Sequence, residues 1–210
     1  MIGTLRTSHL AAAYYKLMEK HLLPHLPAWG LTPDRLTWLG MLISVIVPIG
    51  FWIHPGAGFL LLLLSGIADS LDGLMARLQN RSSRWGAFLD SSLDRVSDLF
   101  YLLGFWVLLG RYSSQVPATL AIFAGMLSTL LISYIKARAE ALGCTCQVGL
   151  MERGVRTAYL IVWALLIAVW PSMRGSILWG GLMLYGVLTF FTVFQRWMHI
   201  AGQLSDRQPP

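Results

Sequence analysis

Charge is scarce in this sequence. Of its 210 residues only 12% are Asp, Glu, Lys or Arg, where a soluble domain carries roughly 25%, and that scarcity excludes an ordinary water-solvated globule. With 56% hydrophobic residues and a mean hydropathy of +0.61, lipid is the fitting solvent. Cysteine is nearly absent: Cys144 and Cys146 stand alone in Cys-Thr-Cys spacing. That is neither the Cys-x-x-Cys of zinc and redox sites nor a disulfide framework, so two free thiols are expected. Also missing is an N-terminal apolar run ending at a small-residue cleavage site, because Arg6, Lys16, Glu19 and Lys20 punctuate Met1 to Leu23. The stretch is therefore expected to stay on the mature protein.

What is present is a series of apolar segments, at 37–53, 59–78, 87–109, 117–142, 157–170 and 177–197. Breakers such as His54-Pro55-Gly56, Arg81-Ser82-Ser83 and Pro171-Ser172 separate them. At about 20 residues per crossing, the chain has room for six spans and little soluble mass. The expected fold is an all-α integral membrane protein of one domain over 1–210, with an interfacial segment at 1–30, a six-span bundle at 37–197 and a polar tail at 198–210. Within the first segment, Tyr14 to Leu23 sets Lys16, Glu19 and Lys20 among apolar residues at helical spacing. This suits an amphipathic helix on the headgroups ahead of the first span, broken by Pro24 and Pro27.

The cytoplasmic side of a membrane protein collects Lys and Arg. With six spans and both termini in the cytoplasm, only Arg111 and Arg174 fall on the far side, against the other 14 of the 16 basic residues. The net charge of +6 then needs no nucleic-acid partner, because topology and attraction to anionic lipid account for much of it. Lys136, Arg138, Arg153, Arg156 and Arg196 recur at the cytoplasmic ends of spans four to six, where they can also converge on a phosphate.

The acidic residues are distributed unlike this. Five of the ten, Asp69, Asp72, Asp90, Asp94 and Asp98, lie within thirty positions in or beside the second and third spans. A carboxylate at bilayer depth costs about 2.5 to 3.5 kcal/mol, so such residues normally face a cavity or a partner. Asp69 and Asp72 are spaced i, i+3 and Asp90 and Asp94 i, i+4, so each pair shares a helix face. Two carboxylates about 6 Å apart repel by roughly 3 kcal/mol at an effective dielectric of 20, and bound cations are the natural compensation for four of them. With no histidine or cysteine in the segment, a hard ion such as Mg²⁺ or Mn²⁺ fits better than zinc. A pair of such ions suits transfer of a phosphoryl-type group. Gly73 and Gly86 beside these aspartates would let a ligand or a neighbouring helix approach closely.

The segment Asp69-Ser-Leu-Asp72-Gly73-Leu-Met-Ala76-Arg77, eight residues, Gly86-Ala-Phe-Leu-Asp90-Ser-Ser-Leu-Asp94 resembles the signature of the CDP-alcohol phosphatidyltransferases, D-x-x-D-G-x-x-A-R-x8-G-x-x-x-D-x-x-x-D, at every fixed position. The resemblance implies that Asp69, Asp72, Asp90 and Asp94 hold two divalent cations, Mg²⁺ or Mn²⁺, on the diphosphate of a CDP-linked lipid. It implies that Asp94 doubles as general base toward the acceptor hydroxyl and that CMP leaves. It further implies contacts to the CDP head from Gly73, Ala76, Arg77 and Ser83, and from Asp34 and Thr37 in Leu31-Thr-Pro-Asp34-Arg-Leu-Thr37, where Asp34 replaces the commoner Asn. Without the family, Thr32-Pro33-Asp34 reads as a helix start.

Ile132-Ser-Tyr-Ile-Lys136-Ala-Arg138-Ala-Glu140, Glu152-Arg153-Gly-Val-Arg156 and Phe194-Gln-Arg196 are similar to the phosphatidylinositol phosphate synthase branch of that family. That likeness implies inositol 1-phosphate as acceptor, its phosphate held by Lys136, Arg156 and Arg196 with Arg138 and Arg153 nearby. Gly154-Val155 departs from the Pro-Glu common in the branch. A homodimer is expected from the family alone. Glycerol 3-phosphate or another alcohol is the alternative acceptor, an intramembrane prenyltransferase the rival enzyme, and a cation carrier using buried aspartates the non-enzyme alternative. His21 and His25 read as interface residues, since Pro24 separates them, and Trp29, Trp38, Trp170, Trp179 and Trp197 as an aromatic belt.

Overall fold

The structure, a computed structural model, describes residues 9–78, 83–112 and 114–205. The first eight positions of the interfacial segment, Arg81 and Ser82 of the polar turn, and the last five positions of the tail lie outside the described residues. Among the described residues the chain is helix and turn, with no strand. Seven α-helices follow in order: α1 His9–His21, α2 Pro33–Ile53, α3 Pro55–Leu78, α4 Arg84–Leu109, α5 Gln115–Ala141, α6 Arg153–Val169 and α7 Arg174–Ser205.

Each of the six expected apolar segments is one of the helices α2 to α7. Four of these, in α2, α3, α5 and α7, are long and apolar enough to cross a membrane. The other two miss for local reasons: α4 carries Asp90, Asp94, Arg95 and Asp98, and α6 has 17 residues. The chain is thus a multi-pass membrane protein. It divides into two compact units, Met1–Gly104 and Phe105–Pro210, and the division falls inside α4.

In the first unit, α2 and α3 pack along their length as a helical hairpin. Thr32 caps α2, its hydroxyl accepting from the Arg35 amide at 3.3 Å, with Pro33 in the first turn, where a missing N–H costs nothing. At the far end the Phe51 ring is fully buried in a slot walled by bare glycine backbone. A Cβ on Gly58 would overlap the ring, and one on Gly104 of α4 would lie 2.7 Å from it. Ser65 bridges the hairpin, donating to the Gly40 carbonyl at 2.6 Å and sharing a 2.7 Å hydrogen bond with the Tyr101 hydroxyl of α4. α1 contributes Met18 to an apolar cluster with Leu26, Leu36, Leu71, Leu74 and Met75, while Lys16, Glu19 and Lys20 are exposed.

The second unit rests on α5 against α7, with α6 also packed on α7. Thr129 and Tyr185 join α5 to α7 through a buried 2.7 Å hydrogen bond, and the Trp163 indole of α6 stacks on Phe105 at 3.9 Å. Just past the end of α5 stands Gly143, whose φ of +71° only glycine adopts freely. The Gly143 and Cys144 amides return to the Glu140 and Ala139 carbonyls, which is the Schellman ending. α7 is longer than expected: it runs on to Ser205 through residues assigned to a polar tail, because His199 and Gln203 carry their polarity on helix positions that have partners in the same unit. Cys144 and Cys146 are free and buried.

Candidate active site

The carboxylates come together because α3 ends and α4 begins in their motif. Asp69 and Asp72 occupy the last turns of α3, and Asp90 and Asp94 the second and third turns of α4. Asp69, Asp72 and Asp90 each present a carboxylate oxygen within 4.8 Å of the other two. Asp94 turns into a small cavity that it lines with Asp69, Thr37, Ser65, Ser97 and Tyr101. Asp72 and Asp94 are buried, while Asp69 and Asp90 are half-buried.

Such a cluster is electrostatically incomplete. Oδ2 of Asp72 is buried without a hydrogen-bond partner, an arrangement that costs a few kcal/mol for a polar group and more for a charged one. Two oxygens on opposite sides of one Mg²⁺ stand about 4.2 Å apart, twice the usual bond length. The observed spread is therefore close to what a hard cation would draw together, and the all-oxygen donor set suits it. Among the described residues the donor set fits Mg²⁺ or Mn²⁺ and offers zinc no soft ligand.

Residues expected at the CDP head gather around the same helix ends. Ser83 caps α4, its Oγ accepting from the Gly86 amide at 2.9 Å. A Cβ on Gly86 would stand 3.2 Å from that hydroxyl and 3.5 Å from Oδ1 of Asp34, so Asp34, Ser83 and Gly86 meet at one spot. Thr37, one turn after Asp34, donates to the Pro33 carbonyl and also lines the cavity beside Asp69 and Asp94. The exposed Arg77 guanidinium lies back along α3 over Gly73, 3.7 Å from where a Cβ would be. Ala76 sits between them on the same helix, half-buried. Ser65, Ser97 and Tyr101 went unmarked in the sequence; single hydroxyls in apolar helices resemble ordinary helix-packing groups, and their only signal is the i, i+4 step from Ser65 to Asp69 and from Ser97 to Tyr101.

The basic residues belong to the second unit. Arg156 and Arg196 are buried, Arg153 is half-buried, and Lys136 and Arg138 are exposed on the last turns of α5. Arg196 donates from Nη1 to the Ile132 carbonyl at 2.6 Å and from Nε to the Val148 carbonyl at 2.9 Å. Ile132, the residue of α5 that Arg196 holds, is one helical turn before Lys136. Arg156 donates from Nη1 to the Met151 carbonyl at 3.1 Å. An arginine has five N–H donors, and these backbone bonds use two of Arg196's. His25 stacks on Trp29 and takes no part in either cluster.

Comparison with known proteins decides the family. The model of the CDP-alcohol phosphatidyltransferases matches residues 30–193. The chain belongs to this family. Among its CDP-alcohol phosphatidyltransferase relatives is the archaetidylinositol phosphate synthase of Methanothermobacter thermautotrophicus, 34% identical over 182 residues, which are 84% of this chain and 86% of that protein. Two crystal structures of Mycobacterium tuberculosis phosphatidylinositol phosphate synthase share the fold. The complex with manganese and citrate is 31% identical, with a TM-score of 0.71 over 85% of this chain and 87% of the other. The complex with CDP-DAG is 28% identical, with a TM-score of 0.67 over 92% and 94%. Family membership makes this CDP-alcohol phosphatidyltransferase an enzyme of phospholipid synthesis, and it retires the carrier and prenyltransferase alternatives.

Proposed function

We propose that the protein transfers a phosphatidyl group from CDP-diacylglycerol, or an ether-linked equivalent, to inositol 1-phosphate and releases CMP. The observation that carries the donor side is the convergence of Asp69, Asp72 and Asp90, together with one oxygen of Asp72 that is buried without a hydrogen bond. These three with Asp94 would hold two divalent cations, Mg²⁺ or Mn²⁺, which when bound neutralise the diphosphate and stabilise the departing CMP. The chain's own residues do the rest. Asp34, Thr37, Gly73, Ala76, Arg77 and Ser83 hold the CDP head. Asp94 takes the proton of the acceptor hydroxyl as its oxygen bonds to the lipid-side phosphorus, and the bond from that phosphorus to the CMP oxygen breaks.

On the acceptor side, Lys136, Arg138, Arg153, Arg156 and Arg196 bind the phosphate of inositol 1-phosphate, arginine through its fork and lysine as a point charge. Named relatives that make inositol phosphate lipids, with diacyl or archaetidyl tails, support this choice. The six helices α2 to α7 all span the cell membrane, with both termini and the site toward the cytoplasm, α1 lies at the headgroups, and two chains pair as a homodimer.

The test is CMP release by purified protein from CDP-diacylglycerol with Mg²⁺ or Mn²⁺, offered inositol 1-phosphate, glycerol 3-phosphate, serine and inositol in turn. Release with inositol 1-phosphate alone is expected. Release with glycerol 3-phosphate in its place would move the acceptor assignment, and silence with every acceptor would overturn the reaction for this lipid.

A further inference from the structure

The connection between α5 and α6 is fastened to α7 along its length. At one end, the Gln203 side chain holds both backbone groups of Thr145: Oε1 accepts from the Thr145 amide at 3.1 Å, and Nε2 donates to the Thr145 carbonyl at 2.7 Å. Further along, Arg196 Nε donates to the Val148 carbonyl, and at the other end Thr192 Oγ1 accepts from the Met151 amide at 3.2 Å. Loop positions 145, 148 and 151 thus meet α7 positions 203, 196 and 192, so the loop runs antiparallel to the helix. Six extended steps cover about 20 Å, and eleven helical steps about 16 Å, so the loop is a nearly taut strap.

The strap's own sequence is shaped for this. Cys144 and Cys146 are buried on either side of exposed Thr145, in an apolar cluster with Ala139, Val148 and Ile200. Gly149 has φ +123°, and a Cβ there would stand 2.7 Å from Thr192 Cγ2 and 3.0 Å from Arg196 Nε, so only glycine lets α7 close over it. The Gln203 amide has one orientation, because the flipped amide would set a donor against the Thr145 N–H and an acceptor against its carbonyl, and Nε2 lies 2.8 Å from His199 Nε2. Downstream, Met151 is held twice, by Thr192 at its amide and by Arg156 at its carbonyl. α6 then begins at Arg153.

We infer that Gln203 is a positioning residue for acceptor binding: it anchors the strap whose other end fixes Arg153 and Arg156 and whose middle fixes Arg196. The inference rests on the proposal that these arginines bind the acceptor's phosphate. Gln203 lies ten residues beyond the segment that the family model matches, on the stretch of α7 that reads as tail.

The experiment compares wild type with Gln203→Ala, which suits a helix, and with Gln203→Glu, which sets a carboxylate against the Thr145 carbonyl. Hydrogen exchange of the peptide 143–152 is followed by mass spectrometry in detergent, and KM is measured for CDP-diacylglycerol and for whichever phosphorylated acceptor the wild type uses. Both variants should exchange the strap amides roughly tenfold faster, the scale of one or two lost hydrogen bonds. Both should raise the acceptor KM several-fold and leave the donor KM within about twofold, on the same scale. Unchanged exchange, or faster exchange with an unchanged acceptor KM, would overturn the inference, as would an equal rise in both KM values. If the wild type uses an acceptor without phosphate, the assignment of the arginines fails first, while the exchange measurement still tests the strap.

Discussion

The two proposed halves of the chemistry differ in the sign of the charge they gather and in how that charge is held. In the first unit, like charges are brought together: three carboxylates converge, and one oxygen of Asp72 is buried without a hydrogen bond. In the second, the buried cations are tied into the protein, with Arg196 and Arg156 donating to the Ile132, Val148 and Met151 carbonyls. A carboxylate cluster of that kind is completed by an external cation. An arginine that already holds backbone keeps its place before the ligand arrives, so its remaining donors are preorganised. On the roles proposed above, the contrast separates a site that is assembled by what it binds from one that stands ready.

The largest effect that would sharpen this contrast is expected at Asp94. Asp94→Asn keeps the shape and removes the base, and turnover should fall by about 10²- to 10⁴-fold with CDP-lipid binding retained; near-normal turnover would remove Asp94 from the role. In the second unit, Arg156→Ala should raise the acceptor KM by about tenfold or more, the scale of a lost charge-assisted hydrogen bond, and leave the donor KM near its wild-type value. Equal effects on the two would erase the division of labour. At the cation cluster, Mn²⁺ should raise the melting temperature of the wild type by several degrees through linkage. Asp72→Asn should lose that rise and, without metal, melt no lower than wild type, because a like charge has gone; a metal-free variant less stable than wild type would break the account of a strained cluster. The smallest effect belongs to a group outside both sites. Tyr185→Phe removes the hydrogen bond to Thr129 and should cost about 1 kcal/mol of stability without moving either KM, which kinetics and thermal melts together would check.

Much of the first unit was legible because its chemistry is expressed at helical spacing within one stretch of chain. Asp69 and Asp72, and Asp90 and Asp94, advertise shared faces, and Gly86 marks close approach, whereas Gly73 has only an ordinary contact with Arg77 of its own helix; the cavity hydroxyls Ser65, Ser97 and Tyr101 do not stand out, since nothing in one sequence separates them from packing groups. The second unit was less legible because its decisive contacts join positions far apart. Thr145 meets Gln203 across 58 residues, and no spacing rule links a loop backbone to a helix that distant. The short apolar, polar, apolar alternation of Cys144, Thr145 and Cys146 was available as a sign of extended chain. His199 and Gln203, one helical turn apart, were equally available as a sign that α7 continues.

The glycine-walled slot around Phe51 has a mechanical meaning for chemistry that takes place far from it. Gly58 precedes Asp72 by fourteen residues on α3, and Gly104 follows Asp90 by fourteen on α4, so each helix is a lever arm of about 21 Å between slot and carboxylate. A change of about 5° in crossing angle at the slot would swing the carboxylates by about 2 Å at that length, against a tolerance near 0.2 Å for metal ligation. A single methyl group added at Gly58 or Gly104 is therefore a perturbation magnified at the far end. The fulcrum, as much as the aspartates, sets whether the cations can be held.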